Sequence, residues 1–268
     1  MLTPNTQNIE YHQDSQLLSL FEVDSQEHNI AQQNLEKLKK KHIVIIGVGG
    51  VGSVCAQTLV RSGILNISLV DGDIVEKSNL GRQYYNYEDI SRPKVEALKR
   101  QLIQIQPNCN IKTRFEFINE NTVNEILEDC DIVIDCSDNL KTRRIINNFC
   151  YTHNIFWIYS GAQGFECTLC LFDYSVFSNS EKVDKSNNKN KSKVLEKKDF
   201  FSKLITPQHR ELANCSTGVL TGSTSIAAQL IISELFMYCV FENTSFQKKN
   251  FEGKKLHLLN SHLLRFQL

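Results

Sequence analysis

The chain has 268 residues, with 30 basic and 30 acidic residues and a formal net charge of zero. This balance gives no indication of nucleic acid or an anionic membrane as a partner. No apolar run approaches the roughly 20 residues that cross a bilayer, and no signal peptide is recognisable. Nine cysteines in a chain of this length suit a reduced protein better than a small disulfide scaffold. We therefore expect a cytoplasmic protein that can bury one large core.

In chain order, the sequence predicts a helix over residues 26–41, a buried strand over 43–46, a helix reaching Ser62 and an apolar strand over 67–70. Pro93 begins another helix, which ends near Ile105 with apolar residues on one face. Strands at 111–115, 131–135 and 155–160 then alternate with helices at about 121–128 and 140–153. This alternation predicts an α/β fold: a Rossmann-like, doubly wound and mostly parallel sheet with helices on both faces.

The C-terminal third has a different pattern. Strand-like alternation follows Gly164 through Asp173, and a long apolar helix ends near Val240. Between them, residues 178–198 are rich in Ser, Asn and Lys and lack the apolar side chains needed to order themselves. Residues 254–268 are predicted to form a terminal hairpin, so we expect antiparallel C-terminal strands that extend the sheet.

Glycines dominate the connection between the first strand and the following helix. They are Gly47, Gly49, Gly50 and Gly52. At such a turn the backbone can approach a phosphate, whose charge is stabilised by the helix N-terminus. Asp71 stands about 20 positions later, at the end of the second strand, where an acidic residue reaches a ribose hydroxyl. Asp73 follows closely, and the whole unit predicts a nucleotide site.

Three further motifs define the kind of site. The segment from Asp71 reads DGDIVEKSNLGRQ, an RPK motif follows at 92–94, and a CSDN motif stands at 136–139. With the glycine turn, they resemble the ThiF/MoeB/HesA family, the adenylating enzymes related to ubiquitin activation. The resemblance is close over about 35–162 and looser from Asn214 onward. It implies ATP, Mg²⁺ and activation of the C-terminal glycine of a small ubiquitin-like sulfur carrier with a Gly-Gly tail.

The resemblance also implies roles for single residues. Asp138 matches the magnesium-binding aspartate, although an Asp after a strand can simply be the N-cap of the next helix. Arg82 and Lys94 match catalytic cations that contact the phosphates, whereas a basic residue taken alone is usually a solvated surface group. The other residues of the SNLGRQ and CSDN motifs that match ATP contacts are Ser78, Asn79, Leu80, Gly81, Gln83 and Asn139.

Cys215 is the candidate nucleophile. In relatives, a cysteine in a setting such as its NCSTGV segment handles sulfur or the activated carrier, and a thiolate at a helix N-terminus is a competent nucleophile. The alternative is a small buried cysteine without chemistry. The family further implies a homodimer, and a sulfurtransferase or a cysteine desulfurase as candidate sulfur donor. Its domain plan predicts a single adenylating domain: an N-terminal helical segment (1–41), a nucleotide-binding core (42–162) and a carrier-binding part (163–268) with a flexible crossover insert at 175–205.

Two family features are missing. Relatives bind structural zinc through two Cys-x-x-Cys pairs, but Cys167 and Cys170 fall in a strand-like register and no second pair follows, so zinc is predicted absent. Relatives also begin with an arginine-bearing segment that reaches the phosphates of the neighbouring protomer, whereas the first arginine here is Arg61. The loss of such a cation can cost several kcal/mol of transition-state stabilisation.

These observations leave several functions open. The first is an adenylyltransferase for a sulfur carrier, with the NCSTG and EDIxRPK segments slightly favouring the thiamine branch over the molybdopterin branch. The second is adenylation of another small protein or peptide in a specialised pathway. The third is a non-catalytic scaffold that keeps the nucleotide pocket. A dehydrogenase ranks last, because the SNLGRQ motif has no purpose there.

Overall fold

One sheet organises the part of the chain that the computed structural model describes, which comprises residues 25–163, 166–174, 221–241 and 264–265. Its strands are β1 (Ile43–Ile46), β2 (Asn66–Val70), β3 (Asn110–Arg114), β4 (Ile132–Asp135), β5 (Phe156–Gln163), β6 (Glu166–Asp173) and β7 (Leu264–Arg265). The α-helices within these ranges are α1 (Ser25–Lys39), α2 (Gly52–Arg61), α3 (Lys94–Ile105), α4 (Val123–Leu127), α5 (Leu140–His153) and α6 (Thr221–Val240). Short 3₁₀ helices at Lys77–Asn79 and Tyr87–Asp89 connect β2 to α3.

The strand order in the sheet is β3-β2-β1-β4-β5-β6-β7. The first five strands in this order run parallel, with Ile43 of β1 opposite both Ile67 and Ile132. β6 pairs antiparallel with β5 along its whole length, and β7 pairs antiparallel with β6. The predicted mostly parallel α/β sheet with antiparallel C-terminal strands is confirmed. Because the order reverses between β1 and β4, a crevice opens at the carboxyl ends of these two strands.

Apolar side chains fill both faces of the sheet. Ile43 and Ile45 of β1 belong to a core formed with α1, α2, α3 and α6. Val44 and Ile46, which alternate with them, belong to a second core formed with α4, α5 and Trp157. All four residues of β1 and all four of β4 are buried. Strands covered on both faces explain why the sequence shows continuous apolar runs rather than alternation.

Helix α6 is a core helix although it is remote in sequence from the elements it contacts. It packs against α1, α2, β5 and β6, and the Asn34 amide donates a buried hydrogen bond to the carbonyl of Val240 at 3.2 Å. With 20 residues and a mean hydropathy of 1.4, α6 is also long and apolar enough to cross a membrane, but half of that stretch is buried within the protein. The sequence-based statement that no apolar run has such a length was therefore wrong for α6.

Parts of the predicted C-terminal organisation lie outside the described residues. The crossover insert at 175–205 belongs to them, as does most of the terminal hairpin over 254–268. Of that hairpin, the structure describes β7, in which residue 265 lies opposite residue 166 of β6 in the antiparallel backbone register. The position of β7 on the edge of the sheet agrees with the expected antiparallel extension.

Truncation of a buried residue of α6 tests its place in the core. Leu235 is fully buried, whereas Ile226 of the same helix is 37% exposed. We expect Leu235→Ala to lower the free energy of unfolding by about 2–5 kcal/mol, because it removes buried methyl groups and leaves a cavity. Ile226→Ala, the matched control, should cost about 1 kcal/mol or less. Urea titration measures both, and equal losses would contradict the core position of α6.

Candidate nucleotide-binding site

The glycine turn lies in the crevice between β1 and β4. Gly47 has a φ of +79°, and its N–H donates to the carbonyl of Val70 at 2.8 Å. A Cβ on Gly47 would stand 2.8 Å from the carbonyl oxygen of Cys136, and one on Gly52 would overlap the carbonyl oxygen of Gly47. A side chain on Gly47 would therefore push the turn away from the loop after β4, and one on Gly52 would force the turn itself open. Glycine lets the turn close tightly and leaves the first N–H groups of α2 facing the crevice.

The Asp71 carboxylate holds this turn in place. One oxygen accepts a hydrogen bond from the N–H of Val48 at 2.8 Å, and the other accepts one from the N–H of Asp73 at 2.8 Å. The side chain is buried, and this burial raises the pKa of Asp71, although nearby Lys94 and the two N–H groups offset part of the effect. Asp71 thus joins the end of β2 to the glycine turn after β1, where sequence analysis expected it to serve a nucleotide.

Lys94 lies beside Asp71 at the first turn of α3. Its ammonium group pairs with the carboxylate of Asp73 at 2.7 Å, and its side chain is 7% exposed while that of Asp73 is 53% exposed. The Lys94 N–H also donates to the carbonyl of Asp73 at 3.0 Å. Since Pro93 lacks an N–H and starts the helix here, the RPK motif places a buried cation next to the predicted ribose site. The structure therefore brings Asp71, Asp73, Lys94 and the glycine turn together.

The SNLGRQ segment mainly stabilises its own turn. The Asn79 side chain is buried and accepts a hydrogen bond from the N–H of Glu76 at 3.0 Å, and the Ser78 hydroxyl donates to the Glu76 carboxylate at 3.0 Å. The carbonyl of Gly81 accepts a hydrogen bond from the Thr221 hydroxyl at 2.6 Å. Leu80 packs against the core that contains α2 and α3. These four predicted ATP contacts are thus engaged in contacts within the protein, two in the turn itself and two with the core and α6.

Arg82 and Gln83, the last residues of that segment, face different surroundings. The Arg82 guanidinium donates to the carbonyl of Ser78 at 3.3 Å, and the residue lines a surface hollow of about 730 Å³ together with Arg61 and Gln104. Neither the glycine turn nor Lys94 nor Asp138 lines that hollow. Gln83 also lines the hollow, but it reaches the glycine turn as well: its amide nitrogen lies 3.6 Å from the position of a Cβ on Gly49, and its buried carbonyl oxygen has no hydrogen-bond partner.

The CSDN motif forms the other wall of the crevice, after β4. Asn139 is the N-cap of α5 and accepts a hydrogen bond from the N–H of Thr142 at 2.9 Å. Asp138 is exposed, and the amide of Asn139 lies 3.5 Å from its carboxylate. The cap of α5 is therefore Asn139 rather than Asp138. This leaves the Asp138 carboxylate at the surface of the crevice, on the opposite side of β1 from Asp71.

Arg143 is a site residue that sequence reasoning missed. Its buried guanidinium donates to the carbonyls of Ser137 and Ser160 and to the hydroxyl of Tyr159, the last at 2.7 Å. The adjacent Asp135 is fully buried; burial raises its pKa, and Arg143 offsets part of that effect. Arg143 thereby fixes the loop that carries Asp138 to the middle of β5. Its position one turn after the Asn139 cap was the available signal.

Tyr85 is a second residue that was missed. It is buried, and its hydroxyl donates to the carbonyl of Val48 at 2.6 Å. Val48 is thus held through its N–H by Asp71 and through its carbonyl by Tyr85. Burial is the main cause of a raised Tyr85 pKa, and the nearby carboxylates of Asp71 and Asp89 add to it. The only sequence signal was its place two residues after the SNLGRQ motif.

The three cysteines considered in the sequence analysis are not among the described residues of this crevice. Cys215 lies outside the described residues, so its role stays a prediction. Cys167 and Cys170 are both buried in β6, and residues three apart on a strand project to opposite faces. They therefore do not form one half of a zinc site, and the absence of structural zinc stays a prediction.

The described residues fit a nucleoside triphosphate. The glycine turn provides a cradle that a Cβ would fill, and the amide group of Gln83 lies beside it with a carbonyl oxygen that has no hydrogen-bond partner. No group of three or more His, Cys, Asp or Glu side chains is placed to hold a metal within the described ranges. Magnesium at nucleotide sites needs only one or two carboxylates, since phosphate oxygens and water complete its shell. Asp138 fits that requirement.

Comparison with known proteins reveals relatives over about half of the chain. The probable molybdopterin-synthase adenylyltransferase of Porphyra purpurea is 38% identical over 149 residues, which cover 54% of this chain and 38% of the relative. The molybdopterin-synthase adenylyltransferase of Haemophilus influenzae is 36% identical over 140 residues, which cover 52% of this chain and 58% of the relative. The matched part therefore spans less than two thirds of either relative.

Solved structures share the fold at lower sequence identity. PaaA superposes with a TM-score of 0.65 at 22% identity, covering 91% of this chain and 68% of its own. Escherichia coli MccB in complex with ATP superposes with a TM-score of 0.60 at 22% identity, covering 82% of this chain and 64% of its own. The ThiF family model matches residues 23–266, which include every element of the sheet. The chain therefore belongs to the ThiF family.

Proposed function

We propose that this chain is an ATP-dependent adenylyltransferase that activates the C-terminal glycine carboxylate of a small ubiquitin-like sulfur carrier. The observation that carries the proposal is the position of Asp71. In a ThiF-family chain, its carboxylate holds the glycine turn by the N–H of Val48 and lies beside the buried Lys94. The named relatives, molybdopterin-synthase adenylyltransferases, support the same class of reaction.

The crevice has hydrogen-bonding groups for the phosphates and the ribose of ATP. The phosphates lie against the glycine turn and the N-terminus of α2, where N–H groups face negative charge. Each Asp71 oxygen already accepts one backbone hydrogen bond, but a carboxylate oxygen has two lone pairs, so Asp71 can still accept from a ribose hydroxyl. The unpartnered oxygen of Gln83 can accept from a donor group of the bound ligand.

Charge neutralisation is the main chemical demand, because the carboxylate and the triphosphate that react are both anions. Lys94 supplies an ammonium group whose present partner, Asp73, is half exposed and can be released to water when a phosphate takes its place. Mg²⁺ when bound would be held by Asp138 and the phosphate oxygens, and would neutralise the triphosphate further. The glycine turn and Lys94 then hold the triphosphate so that the α-phosphate is in line with the attacking glycine carboxylate. Pyrophosphate is the leaving group.

The carrier that the protein activates would determine the pathway, and two branches are candidates. The names of the relatives favour a molybdopterin carrier, whereas the NCSTG and EDIxRPK segments favour a thiamine carrier. Carriers of both branches therefore belong in the test. The homodimer, the sulfurtransferase or cysteine desulfurase as donor, the cytoplasmic location and the reactivity of Cys215 are proposed on the resemblance alone.

A scaffold that binds nucleotide without catalysis is the second candidate. It is favoured by the orientation of Arg82, whose guanidinium donates to the carbonyl of Ser78 and lines a hollow that neither Lys94 nor Asp138 lines. The absence of arginine among residues 1–60 favours it as well. Adenylation of another small protein or peptide is the third candidate. Carrier-dependent ATP–pyrophosphate exchange separates the first candidate from the other two.

ATP–pyrophosphate exchange tests the proposed reaction. With Mg²⁺ and a carrier that ends in Gly-Gly, we expect carrier-dependent exchange that Asp138→Ala lowers by at least about a hundredfold, as loss of a key electrostatic group does. Asp129→Ala is the matched control, because Asp129 is also exposed but precedes the opposite end of β4; it should leave exchange unchanged. ATP binding without exchange for any carrier would favour the scaffold or a different protein substrate.

The raised pKa of Asp71 predicts a pH dependence of ATP binding. A protonated Asp71 accepts hydrogen bonds poorly, so ATP affinity should fall as the pH is lowered through the raised pKa of this carboxyl. Asp71→Asn should bind ATP at least about tenfold more weakly at neutral pH, since hydrogen bonds to charged groups contribute about 1.5–3 kcal/mol. Calorimetric titration from about pH 4, near the usual carboxyl pKa, to about pH 8 measures both proteins. ATP protonates equally in the two titrations, so an identical pH profile for the variant would contradict the role of Asp71.

The hydroxyl of Tyr85 should matter for both stability and nucleotide binding. Tyr85→Phe leaves the buried carbonyl of Val48 without its donor, which we expect to cost about 1–3 kcal/mol of unfolding free energy and to weaken ATP binding several-fold. Tyr84→Phe is the control, because the Tyr84 hydroxyl contacts Ser225 at the surface instead. Urea unfolding and ATP titration of both variants check the prediction, which fails if the two behave alike.

A further inference from the structure

Phe117 is a large apolar side chain that the fold leaves exposed at the edge of the crevice. It lies in the loop after β3 and is 65% exposed. Its ring packs on Gly72: the three atoms nearest to the position of a Cβ on Gly72, at 2.6–2.8 Å, all belong to the Phe117 ring. Only a glycine lets the ring settle against the backbone there. The ring therefore lies directly on the residue between Asp71 and Asp73.

The backbone around Phe117 is anchored, so the exposed ring is held in place. The N–H of Asp71 donates to the carbonyl of Arg114 at 3.2 Å, which joins the ends of β2 and β3. Ile118, the next residue after Phe117, is 5% exposed and belongs to the second core. The carbonyl of Phe117 accepts a hydrogen bond from the amide of Asn119 at 3.3 Å. The loop thus buries Ile118 in the core and exposes the ring of Phe117 to solvent.

The sheet order fixes where the base of a bound nucleotide lies. The phosphates lie at the turn after β1, and an acidic residue at the end of β2 holds the ribose. The base extends from the ribose away from the phosphates. Because β2 separates β1 from β3, that direction points toward the end of β3, where the Phe117 ring covers Gly72.

We propose that Phe117 is the stacking surface for the base of the nucleotide. An exposed aromatic ring that stands next to a ribose-binding carboxylate offers its face to a π-system, and base–aromatic stacking tolerates different bases. The proposal rests on the nucleotide site of the proposed function and adds a residue to it. Core packing does not explain an exposed phenylalanine at this position, because Ile118 is the residue of this loop that is buried in the core. Base stacking gives the exposed ring a role.

Phe117→Ala separates base binding from phosphate binding. We expect the Kd for Mg²⁺-ATP to rise by at least about tenfold, equivalent to about 1.4 kcal/mol. The Kd for Mg²⁺-tripolyphosphate, which lacks a base, should stay unchanged. Phe115→Ala removes another exposed phenylalanine of the same loop, 52% exposed, and should leave both Kd values unchanged. Phe117→Tyr keeps a ring and should restore ATP binding.

Phe117→Trp gives a direct optical readout, because the only tryptophan of the chain, Trp157, is fully buried. Its new fluorescence should respond to ATP but not to tripolyphosphate. Equal ATP affinities of the wild type and Phe117→Ala would overturn the proposal while leaving the nucleotide site intact. A Phe117→Ala defect confined to binding of the carrier would also overturn it and assign the ring to a protein interface. A wild-type protein that does not bind ATP would overturn this proposal and the proposed function together.

Discussion

The Asp71 carboxylate connects two strands by hydrogen bonds to Val48 and Asp73, and the rest of the crevice depends on it. A buried carboxylate is costly unless it is hydrogen-bonded and lies near a cation. Here two N–H groups and Lys94 supply both conditions. The same contacts orient the glycine turn before any ligand arrives. Nucleotide affinity and local stability therefore rest on one group, and substitutions that improve one can weaken the other.

A second buried charge organises the opposite wall of the crevice. Arg143 joins the loop after β4 to the middle of β5 by hydrogen bonds to two backbone carbonyls, and it lies close to the buried Asp135. Removal of one member of such a pair leaves the other buried without compensation. The wall that carries Asp138 is thus held by a guanidinium group, just as the wall that carries Lys94 is held by a carboxylate.

Most of the fold could be predicted from the sequence because strands buried on both faces produce apolar runs, and helices produce a 3.6-residue period. Asp71 and Lys94 could be placed because their motifs follow a strand or begin a helix. Arg143 and Tyr85 could not, since their importance comes from contacts with carbonyls 17 and 37 positions away. The direction of Arg82 was equally hidden, because a motif gives the residue type and not the rotamer. The core position of α6 required knowledge of its distant partners α1 and α2.

The contact between α6 and α1 has a consequence for biosynthesis. Asn34 and Val240 are 206 positions apart, and a ribosome adds roughly 5–20 residues per second. The segments that form the first helices are therefore synthesised at least about ten seconds before the helix that covers them. During that interval their apolar surfaces stay exposed to chaperones or to other nascent chains. Long-range closure of this kind also slows folding, so the yield of native protein should depend more on translation speed and chaperone supply than on the stability of the finished molecule.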